Sequence, residues 1–455
     1  MRRRFYIQTM GCQMNVHDSE FLSQCLIQGG YVPAERPEDA DVVLANTCVV
    51  RAKPEQKAYS FLGRASALKA PDPSKFIGIV GCLAQMKGEL LLKRFPLLDL
   101  IMGPRELSRF PEVVKQMDRP HGKTVATRLE LAPPCHAPDH TCFHNKATGY
   151  ISVMEGCNNF CTYCIVPYVR GREISRDPDQ IMAEAIRLIT LGIKEITLLG
   201  QNVNSYVWEA PGRQRLSFSG LLQQVSQLKG LLRLRFVTSH PKDLSDELIS
   251  CFAAIENLCP HIHLPFQAGS NRILRLMGRG YTREDYLHLV QKLRKVRPDI
   301  AITSDVMVGF PGETDQDFQD TLDLIRQVRF DSLFSFKYSD RKGTAADQMG
   351  NKIDELTKGS RLHALQDLQK RITLEKNKEL EGRKTVVLVE GKSKRGNQST
   401  GRTASHKVVN FPGTSWEIGA LVKVLIEKGF LNSLQGKPIG SLSPVKENLR
   451  SIEMK

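Results

Sequence analysis

No run of about 18 consecutive apolar residues occurs in this chain of 455 residues, so no membrane-spanning helix is expected. The opening MRRR carries the charge of an export signal, but FYIQTMGCQ behind it is too short and too polar for the apolar part of one. Acidic side chains are in short supply: 49 Asp and Glu stand against 64 Lys and Arg, a net charge of +15. A polyanionic partner is therefore expected, nucleic acid first. With neither span nor export signal, the chain reads as soluble and cytoplasmic, where thiols stay reduced. Its eleven cysteines are then expected to be ligands, catalytic groups or small core residues rather than disulfides. The length suits about three domains at ~150 residues each.

Three of the cysteines repeat one context. RFYIQTMGC, ADVVLANTC and FIGIVGC each end an apolar run at Cys12, Cys48 and Cys82, ahead of a helical stretch. The intervals, 36 and 34 residues, are each one strand-plus-helix unit. In a parallel sheet with right-handed crossovers, all three thiols reach the carboxyl edge and can meet. Any one alone would read as a buried core residue. Three in register predict a shared iron–sulfur or zinc site with one coordination position left open.

A second cluster is more specific. GYISVMEGCNNFCTYCIVPYVRGREISR sets Cys157, Cys161 and Cys164 as C-x3-C-x2-C behind the apolar run YISVM. A structural zinc knuckle would need a fourth Cys or His close by, and IVPYVRGREIS supplies none. This spacing resembles that of radical S-adenosylmethionine enzymes, in which the iron lacking a protein ligand is chelated by the methionine moiety. Tyr163, just before the last cysteine, resembles the aromatic near the adenine in such enzymes.

Beyond YISVM, five strand-like runs alternate with helical stretches such as TDQDFQDTLDLIRQVR, predicting six βα units. Six parallel strands predict a partial barrel whose active face is the carboxyl end carrying the cysteine loop. Gln201, Asn202, Ser239, Gln267, Ser270 and Asp305 at those ends are candidate cofactor or substrate contacts, although each equally suits a helix cap or turn. GFPGET, with Gly309 and Phe310, can pass its backbone close to an adenosyl group. Its plainer reading is a turn with Thr314 capping the next helix.

The tail differs. KTVVLVEG, STGRTASHKVVNF and ALVKVLIEKGF are short runs between turns, predicting a small antiparallel β-barrel. From Glu381 to Phe411 there are seven Lys or Arg and two Asp or Glu, which favours RNA phosphate contact over a merely solvated face. CHAPDHTCFH, residues 135–144 with Cys135 and Cys142, has the ligand types of a zinc site but lies in a Pro-rich stretch and reads as a spacer. Cys25, Cys251 and Cys259 read as packing residues, and Trp208 as an ordinary loop aromatic. The domain division expected is 1–120 for an amino-terminal doubly wound α/β domain and 121–146 for a linker. The barrel then takes 147–378 and the small β-barrel 379–446.

Along essentially its whole length the chain resembles the radical S-adenosylmethionine methylthiotransferase family, with GRTASHKVVNF similar to that family's RNA-binding TRAM barrel. TMGCQMNVHDSE, CNNFCTYCIVPYVRGREISR, LLGQNVNSY and TSHPKDL are most similar to members that act on tRNA. The chain departs from the family pattern at Asp340, Lys342, Ala345 and Ala268.

The resemblance implies two 4Fe-4S clusters and S-adenosylmethionine as cofactors. Cys157, Cys161 and Cys164 would hold the cluster that cleaves S-adenosylmethionine to a 5′-deoxyadenosyl radical; Cys12, Cys48 and Cys82 would hold an auxiliary cluster carrying the methylthio group. It further implies isopentenylated tRNA as substrate, with N6-isopentenyladenosine next to the anticodon converted to its 2-methylthio form. A flavodoxin- or ferredoxin-type electron donor is implied, and a monomer is expected. The alternatives are threonylcarbamoyl-adenosine in tRNA or a ribosomal-protein aspartate as target, a radical enzyme of unrelated reaction, and a non-catalytic iron–sulfur RNA-binding regulator.

Overall fold

The computed structural model describes residues 3–49, 52–117, 122–130, 146–394 and 396–442. The strand–cysteine–helix repeats build the first domain. Val42–Thr47 and Phe76–Gly81 are buried along their whole length, as continuous apolar strands are when helices cover both faces of a parallel sheet. Six strands pair in parallel: β1 (Arg4–Met10), β2 (Val32–Pro33), β3 (Val42–Thr47), β4 (Phe76–Gly81), β5 (Leu100–Met102) and β6 (Thr124–Ala126), in spatial order 2-1-3-4-5-6. Two apolar cores flank this doubly wound sheet. The last strand falls in the stretch that composition assigned to the linker. Three residues are too few to show a period, and only their pairing with Leu100–Met102 makes them a strand.

The middle of the chain forms the six parallel strands that the alternation predicts: Thr148–Ser152, Glu195–Leu199, Arg233–Phe236, His261–His263, Ala301–Val308 and Ser332–Lys337. They make two three-stranded sheets in chain order, joined by a parallel bridge from Leu234 to Leu258. The result is a partial barrel around one large apolar core. Its helices form for local reasons. In Asp315–Val328, Thr314 and Asp317 close a capping box while Phe318, Thr321, Leu322, Ile325 and Val328 face inward at helical spacing. The first-domain helix α1 (Gln13–Gln28) packs along the first barrel strand, with Glu20 paired to Lys146 at 2.7 Å.

The tail closes into a five-stranded barrel of Lys384–Lys392, Gln398–Thr403, Val408–Pro412, Leu421–Gly429 and Leu434–Leu442. Four pairings are antiparallel, as predicted, and the pairing of Val408–Pro412 with Leu434–Leu442 is parallel. Directions cannot alternate all the way round a closed ring with an odd number of strands. This barrel seats on the amino ends of the large one. Arg233 donates to the carbonyls of Arg402 (2.8 Å) and Val386 (2.9 Å), Lys407 pairs with Asp331 (3.0 Å), and the rings of His406 and His261 lie 5.2 Å apart. Among the described residues no helix is long and apolar enough to cross a membrane.

Candidate functional site

Parallel pairing brings the first three cysteines together. Met10 is level with Thr47 and Thr47 with Gly81, so Cys12, Cys48 and Cys82 leave the carboxyl ends of three adjacent strands. The ends are held by buried amides. Asn15 accepts from the Cys12 N–H (3.2 Å) and donates to Asn46 Oδ1 (2.9 Å), while Asn46 donates to the Asn15 carbonyl (2.8 Å). Gly11 permits the approach, since a Cβ there would lie 2.8 Å from that of Cys48. The Cys12 thiol is pulled down to about 6, first by its hydrogen bond with Cys48 and then, against the effect of burial, by the Arg170 guanidinium and the Asn15 and Met14 amides. Burial pushes Cys82 up, and Arg170 opposes this. Cys12 is open to solvent, whereas Cys48 and Cys82 are buried.

Cys157, Cys161 and Cys164 follow the first barrel strand and wrap one loop. Gln201 Oε1 accepts from the Gly156 N–H at 2.6 Å, and Asp243 accepts from both Asn202 (2.7 Å) and Asn159 (3.3 Å), tying the loop to the ends of the next two strands. Thr162 donates its N–H to the Met277 carbonyl (3.0 Å) and its hydroxyl to that of Leu276 (2.8 Å). Burial pushes Cys157 up and Cys164 to about 12. Against this stands Arg279, 5% exposed, whose Nη1 lies 3.5 Å from Cys161 Sγ and which donates to the Pro265 carbonyl at 2.8 Å. Each triad thus has one buried guanidinium beside it, a fixed positive charge that suits an anionic thiolate site.

The other candidates divide. Tyr163 and Phe310 meet edge to face at 6.5 Å in one apolar cluster. Gln267 takes φ 66° and bridges to the Asp305–Met307 backbone, while Asp305 Oδ2 lies 3.6 Å from His263 Nε2. Among the described residues, Asn202 Oδ1, Ser239 Oγ, His240 Nε2 and Asp305 Oδ1 are buried without a hydrogen-bond partner, an uncommon state for protein polar atoms and a reason to look for a ligand there. Ser270 caps the helix Asn271–Leu276 and donates to Asp317, so its polar group is used in the fold. Gly309 donates to Glu313 (2.6 Å), and its open side faces the Lys358 stem, where a Cβ would meet Cγ at 2.3 Å. Thr314 is the helix cap, Cys25, Cys251 and Cys259 are buried in packing, and Trp208 lies against the barrel core with Arg213 over its ring. The 135–144 cluster lies outside the described residues.

Sequence reading missed Arg170, Arg279, Asn15, Asn46, Asn159 and Asp243. All but Arg279 lie inside stretches quoted for the cysteine repeats or for the family resemblance, where the cysteines and strand ends drew the reading instead. Among the described residues no three His, Cys, Asp or Glu form a group suited to one metal ion. Thiolates that each bind a different iron of a cluster stand farther apart than thiolates sharing one ion.

Residues 151–325 match the Radical SAM superfamily, 4–103 the Uncharacterized protein family UPF0004 and 378–439 the TRAM domain. The chain is 49% identical to the tRNA-2-methylthio-N(6)-dimethylallyladenosine synthase of Syntrophus aciditrophicus (strain SB), over 96% of this chain and 94% of that one. It is 47% identical to the enzyme of the same name from Geobacter sulfurreducens, over 95% and 96%. The radical S-adenosylmethionine methyltransferase TsrM from Kitasatospora setae, solved with cobalamin and a 4Fe-4S cluster bound, shares the fold. Its TM-score is 0.54 at 15% identity over 76% of this chain and 77% of that one. With two convergent thiol triads on a doubly wound sheet and a radical barrel, and a TRAM barrel behind them, the chain belongs to the tRNA-2-methylthio-N(6)-dimethylallyladenosine synthase family.

Proposed function

We propose that this chain is a radical S-adenosylmethionine methylthiotransferase that converts N6-isopentenyladenosine next to the anticodon of tRNA to its 2-methylthio form. The observation that carries the reading is the pair of thiol triads on separate domains, linked by buried charged side chains: Arg170, six residues after Cys164, hydrogen-bonds the Cys82 side chain and pairs with Asp18 on the helix that Cys12 caps. Cys157, Cys161 and Cys164 would hold one 4Fe-4S cluster and Cys12, Cys48 and Cys82 a second, each leaving one iron without a protein ligand. When bound, the first with S-adenosylmethionine supplies reductive radical generation and the second supplies sulfur, which the non-acidic C2–H of adenine needs because no acid–base group can activate it.

The chain's own residues bind and orient. Tyr163 and Phe310 offer an apolar wall for the adenine, and the unpartnered Asn202 Oδ1, Ser239 Oγ and Asp305 Oδ1 offer hydrogen bonds to the polar groups of the methionine moiety and ribose. Gln267, in its left-handed turn, and Gly309 shape the backbone between them. Gln201 keeps the cysteine loop in place. The basic TRAM barrel supplies phosphate contacts to tRNA. A flavodoxin- or ferredoxin-type donor supplies electrons, the working unit is a monomer, and tRNA as substrate places the protein in the cytoplasm.

The test is mass spectrometry of isopentenylated tRNA incubated with reconstituted protein, S-adenosylmethionine and dithionite. The 2-methylthio nucleoside is the expected product. Formation of 5′-deoxyadenosine with that tRNA unchanged would assign the chain another target, and absence of both would leave an RNA-binding iron–sulfur protein.

A further inference from the structure

Arg170 lies beyond the C-x3-C-x2-C spacing, yet the elements that carry both cysteine triads converge on it. It ends the helix Val166–Arg170, which follows Cys164. Its Nη2 donates to Asp18 Oδ2 at 2.9 Å, on the helix that starts at Cys12, and its Nη1 donates to Glu155 Oε1 at 2.8 Å, two residues before Cys157. The helix is rooted in the first domain, where Ile165 and Val169 share a core with Cys82 and Leu83. Arg105 completes the group: its Nε lies 3.3 Å from Glu155 Oε2, and it donates to the Arg170 and Arg172 carbonyls at 3.0 and 2.9 Å.

All four charged side chains are at most 3% exposed. Desolvation offsets most of the attraction in such a buried network, so stability alone is a weak reason for it. The two cations and two carboxylates balance, and Arg170 also hydrogen-bonds the Cys82 side chain, on the helix whose core it shares through Ile165 and Val169, while its charge acts on Cys12. Four iron-bound sulfides and three thiolates brought into this site would find Arg170 as their adjacent cation. A reducing electron adds negative charge, and in a low dielectric a fixed cation favours the reduced form.

We propose that Arg170 is the positioning and electrostatic residue of the Cys12–Cys48–Cys82 site: it raises the reduction potential of the cluster held there and fixes that site against the Cys157–Cys161–Cys164 loop. The inference rests on the reading that these three cysteines hold a cluster.

The test uses the full chain with Cys157, Cys161 and Cys164 all changed to Ala, reconstituted so that one site remains, and titrated with dithionite under electron paramagnetic resonance. Arg170→Gln is expected to lower the reduced-to-oxidised ratio at the parent's midpoint at least tenfold, a downward shift of about 59 mV for one electron. Asp18→Asn removes a negative charge and is expected to shift the midpoint upward, whereas Arg170→Lys keeps the charge and stays near the parent. A merely structural role would not give opposite signs. If the parent holds no four-iron cluster, the reading of the three cysteines fails and the inference with it. If the cluster is present and Arg170→Gln leaves the midpoint unmoved, or shifts it the same way as Asp18→Asn, the inference is overturned and the site reading stands. Should Arg170→Gln fail to fold, Asp18→Asn decides alone: an upward shift supports the proposal and no shift overturns it.

Discussion

Replacing Arg233 by Met tests whether the TRAM barrel and the radical barrel work as one body. The Arg233 side chain is 7% exposed and spans the seam with two hydrogen bonds, to the carbonyls of Arg402 and Val386. Methionine fills much of the same volume but leaves both carbonyls short of a donor, at about 1–3 kcal/mol each. Part of this is returned, because burial already disfavours the Arg233 charge, and Arg235 continues to pair with Glu195 at 3.1 Å. The net loss expected is about 2–4 kcal/mol of docking free energy. The chain has two tryptophans, Trp208 in the radical barrel and Trp416 against Phe411 in the TRAM barrel. A Trp208→Phe background therefore leaves one reporter on the tail. With a urea dependence of about 2 kcal/mol/M, the Trp416 midpoint should fall by about 1–2 M. Affinity for tRNA should fall with it, because phosphate contacts on a loosened barrel no longer add to binding at the cysteine sites. An unchanged midpoint together with unchanged tRNA affinity would refute the reasoning.

Other perturbations test separate steps. Cys48→Ala or Cys82→Ala should remove about four irons per chain while 5′-deoxyadenosine formation persists; loss of that activity in the same proportion as iron would mean the triads are not separate. Gly156→Ala asks for a side chain at φ 82° with its Cβ 2.1 Å from the Arg172 carbonyl oxygen, so it should cost more than about 2 kcal/mol and halve the iron content, read by iron analysis and melting temperature. Burial holds His261, 5% exposed where the two barrels meet, well below its ordinary 6.5. Below pH 6.5 the unfolded chain therefore binds protons that the folded seam refuses. Stability is complete above that pH and should fall below it by up to about 1.4 kcal/mol per unit, and His261→Gln should flatten the loss in urea midpoints measured at pH 7.5 and 5.5.

The parts that sequence reading reached share a cause. The strands before Cys12, Cys48 and Cys82, the C-x3-C-x2-C loop and the capping box at Thr314 are set by residues within a few positions of one another, where periodicity and spacing record them. Polar residues at strand ends were harder to sort. Ser270 and Asn202 look alike in sequence, yet one is used as a helix cap and the other keeps a buried oxygen unpartnered, a difference set by what packs beside them.

By itself the sequence determined that two thiol triads exist, that each follows a strand in an α/β scaffold, and that a small basic β-barrel ends the chain. Tertiary structure alone decided that Arg170 reaches Asp18 across 152 positions, that Arg279 reaches Cys161 across 118, that residues 124–126 join the first sheet and that one TRAM pairing runs parallel. Local pattern reflects the fixed repeat of helix and strand, whereas a contact between distant residues depends on how whole layers pack, and no short window of sequence contains that.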